Sequence, residues 1–202
     1  IANVMAAQQD EMRRIAEDLH ETGFTHALLL GMGGSGLFAE VCRQTFGIAE
    51  GALDLQVLDT TDPTAVRQAP RCSPHQLCVV IASKSGATAE ISALSKYFHQ
   101  LFKDTDNKPG AHCVVITDAG TALEQQAKEW WAARHLLVHG PGSGLEVGGR
   151  FSALTYFGLL PAALMGIDTD RLLERAHAML QQCGSDVPID MNPAAQLGAA
   201  MA

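Results

Sequence analysis

The chain has 202 residues, 47 % of them hydrophobic, and 22 acidic residues against 14 Lys and Arg give it a formal net charge of −8. That length suits one α/β domain with a sizeable core, and the apolar content excludes a disordered chain. The acidic balance argues against nucleic acid or an anionic membrane surface as partner, and the longest apolar runs, such as HALLLGMGG, fall far short of a membrane span.

The chain starts at Ile1 without a methionine and shows no basic and apolar leader, so the expectation is an N-terminus that has been removed. The opening segment, NVMAAQQDEMRRIAEDLHETG, puts Val4, Met5, Met12, Ile15 and Leu19 on one stripe and ends at Gly23. That pattern predicts an amphipathic helix lying on a sheet. Five short apolar runs follow: HALLLG (26–31), LDLQVLD (53–59), LCVVIAS (77–83), HCVVITD (112–118) and HLLVHG (135–140). They recur roughly every 20 to 30 residues with helical patterns between them at 35–47, 62–69, 88–103 and 120–133, as βαβ units require. Three of the runs are almost continuously apolar, as in parallel strands buried on both faces. The expected fold is therefore α/β, a three-layer αβα sandwich around a five-stranded parallel sheet.

After residue 140 the pattern changes. GPGSGLEVGGR reads as a glycine-rich loop, with helices behind it at about 151–166 and 168–182. DMNPAAQLGAAMA then begins another helix, with Pro193 near its first turn, and runs through Leu197, Ala199, Ala200 and Met201 without a polar end. The five cysteines (Cys42, Cys72, Cys78, Cys113, Cys183) are odd in number and form no CxxC pair, so reduced, mostly buried thiols and a cytoplasmic location are expected. Eight histidines show no metal-ligand spacing, and no metal or cofactor is expected. Structural or surface roles are the default for His20, His26, His135 and His139. Trp130 and Trp131 read as packing at the edge of the sheet rather than as a sugar-stacking platform.

Chemistry concentrates in three loops. VVIASKSGATAE (79–90) runs a buried strand into Ser83, Lys84, Ser85, Gly86 and Thr88 at the start of a helix. Capping accounts for one hydroxyl there. The remainder suits an anion seat, because free amides and the helix dipole favour a phosphate. GMGGSG (31–36) also follows a strand, and ligands bind beyond the carboxyl ends of parallel strands. It fits GxGxxG through Gly31, Gly33 and Gly36, and Asp59 ends the next strand, so a dinucleotide site is a rival. Two features oppose that rival. Ser35 adds a hydroxyl that a dinucleotide site does not need, and the second loop adds enough donors to surround a terminal phosphate. No Walker lysine follows the first glycines. In VGGRFSALTYFGLLPAAL the Gly-Gly pair suits close backbone approach to a ligand, and Arg150 opens an apolar helix. The plainer reading is a helix start with a solvent-facing arginine.

GMGGSGLFAEV, ASKSGATAE and VGGRFSALTYFGLLPAAL, in that order and spacing, resemble the sugar isomerase (SIS) domain family and, within it, the phosphoglucose isomerases. The flavour is similar to bacterial forms, including those fused to transaldolase. The resemblance implies an aldose–ketose isomerase acting on a six-carbon sugar phosphate in glycolysis and gluconeogenesis, without a cofactor. It puts Gly34 and Ser35 beside the sugar phosphate, makes Ser83, Lys84, Ser85 and Thr88 the phosphate clamp with Gly86 and Ala87 as loop backbone, and gives Arg150, on the Gly149–Arg150 step, the role of catalytic arginine. Glu90 matches a glutamate close behind the site. Ala87 departs from the family's usual threonine, with the hydroxyl of Thr88 remaining. The family's base, ring-opening histidine and C-terminal lysine belong to a second SIS domain. The expected division is a phosphosugar-binding SIS domain over 1–190 and the start of a second over 191–202, with a homodimer as a further expectation. Glu146 is a candidate base by proximity alone; a solvated loop glutamate is its plainer identity. A phosphosugar-sensing SIS domain without catalysis is the other alternative, although such proteins usually carry a DNA-binding segment, and none is visible here.

Overall fold

The computed structural model describes residues 1–69, 72–130 and 133–202, with the Trp130 side chain excepted. The expectation for Trp130 and Trp131 therefore falls outside what is described. Five strands, β1 (His26–Leu30), β2 (Asp54–Leu58), β3 (Leu77–Ala82), β4 (Cys113–Asp118) and β5 (His135–His139), form one parallel sheet in the order β2-β1-β3-β4-β5. The three runs that read as continuously apolar are its central strands: every residue of β3 is buried, and so are all but one end residue of β1 and β4. Alternate side chains go to opposite faces, as pleating dictates. Leu29, Val80, Val114 and Ile116 belong to one core with Met12, Leu19, Leu159 and Leu160, while Leu28, Leu30, Val79, Ile81 and Val115 belong to a second with Phe98 and Phe102. Helices cover both faces, so the layers are αβα.

The helices are α1 (Ala2–Ala6), α2 (Gln9–Glu21), α3 (Gly34–Phe46), α4 (Pro63–Gln68), α5 (Ala89–Asp106), α6 (Ala122–Gln125), α7 (Tyr156–Leu164), α8 (Thr169–Gln182) and α9 (Pro193–Met201). Three differ from the sequence expectation. The first helix breaks at Ala7–Gln8, where the Gln8 amide donates to Met5 O three residues back, at 3.0 Å. The break leaves Gln8 Oε1 to accept from the Tyr156 hydroxyl at 3.2 Å, and Val4 of the expected stripe is exposed. The helix expected over 120–133 is α6 followed by a π-turn over Gln126–Trp130. The helix expected over 151–166 is a 3₁₀ segment, Gly149–Leu154, and then α7. Thr155 separates the two because its extended backbone lets its hydroxyl accept from the Phe157 amide, a cap in mid-pattern.

Far from the carboxyl edge, Asp18 of α2 ties that helix to the start of β5. It accepts from Arg134 Nε at 2.6 Å and Nη2 at 2.8 Å, and lies 2.7 Å from His135 Nε2. The Arg134 hydrogen bonds, with help from His135, hold its carboxyl below the usual range, at about 2 against an ordinary 3.8. A carboxyl depressed in the folded state stabilises fully above its unfolded pKa, and that contribution is lost as pH falls from about 4 towards about 2. Asp18→Asn is expected to lower the melting temperature at pH 7 and to flatten the acid limb of a melting-temperature profile over that window. A variant that melts with the parent at pH 7 would show the tie to be without consequence.

Candidate phosphosugar site

β1 and β3 are neighbours in the sheet but not in sequence, so the strand order reverses beside them, and this is where open parallel sheets bind ligands. Their register sets Leu30 level with Ile81. The loops that follow, Gly31–Gly33 into α3 and Ser83–Thr88 into α5, therefore leave the sheet side by side. They border a cavity of about 400 Å³ lined by Ser35, Ser83, Lys84, Ser85, Thr88 and Gly149, with Met32, Ala82, Ile91 and Asp118. Six of the positions expected at the site thus come together in one place.

Capping was expected to use one of the hydroxyls, and the structure corrects this. Thr88 is the N-cap of α5, yet no side chain caps that helix. Its hydroxyl lies 3.4 Å from Ser83 Oγ instead. Ser83 Oγ accepts from the Gly86 amide at 3.2 Å, and Ser85 Oγ from the Ala87 amide at 3.3 Å, so these hydroxyls shape the loop and leave the first-turn amides of α5 to other partners. The N-terminus of α3, at Gly33, likewise has no side-chain cap. α1 and α2 lack a side-chain cap as well, whereas α4, α6, α7, α8 and α9 are each capped by Asp62, Thr121, Thr155, Asp168 or Asn192. Two long helices thus present open positive ends beside one cavity, the electrostatics an anion requires.

The third loop joins through backbone contact. A methyl group on Gly34 would collide with the Gly149 carbonyl and stand 2.8 Å from the Arg150 amide nitrogen. Ser152 Oγ fastens the turn by donating to Gly149 O at 2.6 Å, with Gly34 O at 3.5 Å. The glycine pair before Arg150 was expected to make room for a ligand. Within the protein itself the demand for glycine falls on Gly34, since a Cβ on Gly149 meets nothing within 4 Å. Gly86 is a second constrained position: its φ is +62°, and a Cβ there would lie 2.7 Å from Cβ of Thr121.

Arg150 is exposed, its guanidinium 6.0 Å from the Phe151 ring centroid, and it forms no ion pair among the described residues. Glu90 is exposed in the first turn of α5. Glu146 is exposed too; hydrogen bonds from its own amide and that of Gly142 push its carboxyl below the usual range. Sequence reading missed Asp118, which ends β4 with Oδ2 3.4 Å from Lys84 Nζ, and Ser152; the only sequence signal for Asp118 was its place at a strand end. It also missed the setting of His139, which is buried against Tyr156 and Phe157 with Nδ1 3.4 Å from Asp118 Oδ1.

The rival residues have their own cavity, about 680 Å³, lined by Gly31, Gly33, Gly36 and Asp59 together with Glu40 and Arg43. Its size is no guide to anion binding. Its arginine is consumed by a two-point bond to Glu40 at 2.9 and 3.0 Å, and the nearby carboxylates oppose a pyrophosphate.

No family model matches the chain. It is 35 % identical to the glucose-6-phosphate isomerase of Citrifermentans bemidjiense over 178 residues, which is 86 % of this chain and 32 % of that protein. A Synechococcus glucose-6-phosphate isomerase is 33 % identical over 213 residues, 98 % of this chain and 38 % of its own length. The chain thus spans about a third of the length of the curated relatives it matches. Among solved structures, a hypothetical protein of Thermus thermophilus superposes with a TM-score of 0.81 at 27 % identity, over 98 % of this chain and 46 % of that one. A glucose-6-phosphate isomerase of Chlamydia trachomatis gives 0.69 at 22 % identity, over 87 % and 34 %, a likeness of fold. The chain has the fold of a sugar isomerase domain. Within that class its sequence makes it a relative of the glucose-6-phosphate isomerases.

Two substitutions test the loop contact. Gly34→Ala should destabilise the fold by about 1 to 3 kcal/mol in urea unfolding, the usual range for overpacking, whereas Gly149→Ala should unfold with the parent. Equal curves for the two would mean that the loops separate without cost.

Proposed function

We propose that this domain is the phosphosugar-binding part of an aldose–ketose isomerase that interconverts glucose 6-phosphate and fructose 6-phosphate through an enediol. The observation that carries the reading is the meeting of Ser35, Ser83, Lys84, Ser85 and Thr88 with two uncapped helix ends in one cavity. The phosphate sits there, with Gly34 and the Gly86–Ala87 backbone around it, and holds the sugar's reacting carbons in place. Arg150, always protonated, stabilises the negative charge that develops on the enediolate oxygen, and Glu90 supports the loop from behind. The base that moves the proton comes from a second sugar isomerase domain. Asp118 is the one carboxylate among the residues lining the cavity, and its oxygens face Lys84 and His139. The five free thiols favour a cytoplasmic location.

Lys84→Ala and Ser85→Ala should each weaken glucose 6-phosphate binding by about 1 to 3 kcal/mol in calorimetry, and affinities equal to the parent would remove the clamp assignment. In thermal shift, phosphate or the sugar phosphate should raise the melting temperature and NAD should leave it unchanged. The reverse pattern would make the glycine loop a dinucleotide site. In a coupled assay of fructose 6-phosphate conversion, the 202-residue chain should run slower than the whole Citrifermentans bemidjiense enzyme by the about 10² to 10⁴ that a positioned base contributes. Turnover within about tenfold of it would place the base inside this chain and make Glu146 and Glu90 the first residues to change.

A further inference from the structure

Lys84 is the one formal cation among the residues lining the phosphate cavity, and Asp118 the one formal anion. The two meet with Nζ 3.4 Å from Oδ2, at the adjoining ends of β3 and β4. Their backbones are fixed relative to one another, because the Asp118 amide donates to Lys84 O at 3.2 Å. The carboxylate has one other neighbour that could carry charge, His139, whose Nδ1 stands 3.4 Å from Oδ1. Burial of that imidazole between Tyr156 and Phe157 favours its neutral form and shifts its pKa down. Neither ring nitrogen of His139, nor Oδ1 of Asp118, has a hydrogen-bond partner among the described residues. Among the described residues Lys84 is the one permanently charged side chain paired with Asp118. The pair is about one-third exposed, with side chains 33 % and 31 % accessible, so a ligand in the cavity could reach the ammonium.

Resting on the phosphosugar reading above, we propose that Asp118 is a competing counter-ion for the phosphate. It holds the Lys84 ammonium while the site is empty and takes it back when the phosphate leaves. The clamp is then formally neutral at rest, and its affinity for phosphate is set below what the lysine alone would give. Asp118 is thus a residue that acts through Lys84, tuning how tightly the product is kept.

The experiment is a double-mutant cycle on the 202-residue chain, with inorganic phosphate and glucose 6-phosphate as separate titrants. Parent, Asp118→Asn, Lys84→Ala and the double variant are compared by calorimetry, with melting temperatures as the check on folding; Asp118→Ala serves if the amide variant does not fold. Asp118→Asn should tighten phosphate binding about tenfold. The same change in the Lys84→Ala background should give a gain of less than about threefold, and the difference between the two gains measures the coupling. Weaker binding by Asp118→Asn would mean that the carboxylate positions the lysine for the ligand instead. Equal gains in both backgrounds would mean that Asp118 repels the phosphate directly. Either result overturns the exchange. A parent that binds neither titrant would bring down the phosphosugar reading itself, and the exchange with it.

Discussion

Parallel pairing of β1 with β3 is the constraint on which the rest of the molecule depends. Because Leu30 lies level with Ile81, the chain leaves both strands at the same height and must turn into α3 and α5 side by side. The first residue of α3 has to be glycine, since the third loop crosses it at Gly34 within backbone contact. That crossing fixes Gly149 at the rim of the cavity and starts the 3₁₀ segment that leads into α7. A slip in the β1–β3 register would carry one loop away from the other and empty the site of half its donors, although every local motif would remain in the sequence.

The sheet was legible because buried strands write themselves as apolar runs. HALLLG, LCVVIAS and HCVVITD mark β1, β3 and β4 to within a residue or so, and they are the central strands, covered on both faces. The two runs with polar interruptions, LDLQVLD and HLLVHG, became the edges. The helices were less faithful to their periodicity. Thr155 interrupts an apolar pattern that is otherwise helical, because the 3₁₀ turn before it is fastened to Gly34 by Ser152. Nothing within 151–166 announces that attachment.

The site was legible to a similar degree and failed for a similar reason. Ser35, Ser83, Lys84, Ser85, Thr88 and Gly149 could be gathered because strand ends of a parallel sheet lie on one edge. What each hydroxyl does could not be read. Ser83 and Ser85 accept from amides of their own loop, and α5 keeps its open end. Asp118 and His139 come from β4 and β5, more than 30 residues after Lys84 in the chain, and no motif spans that gap. The backbone crossing at Gly34 was not foreseen. A Gly-Gly pair draws the eye, while the collision that matters falls on Gly34.

The pairing of Lys84 with Asp118 also bears on how a ligand arrives. A seat whose formal charges cancel exerts its pull through helix ends and oriented amides, and such dipolar fields fade within the first turn. Beyond that range a dianion meets a chain of net charge −8. Arg150, exposed and without an ion pair among the described residues, is the one nearby cation left to guide it, and the net charge of the chain opposes its approach. Added salt, by shortening the Debye length to about 8 Å at physiological strength, screens that opposition more than it weakens the grip inside the cavity. If the cavity takes a sugar phosphate as proposed, encounter should quicken with ionic strength while residence at the clamp changes little, the opposite of an enzyme that draws an anion in from a distance.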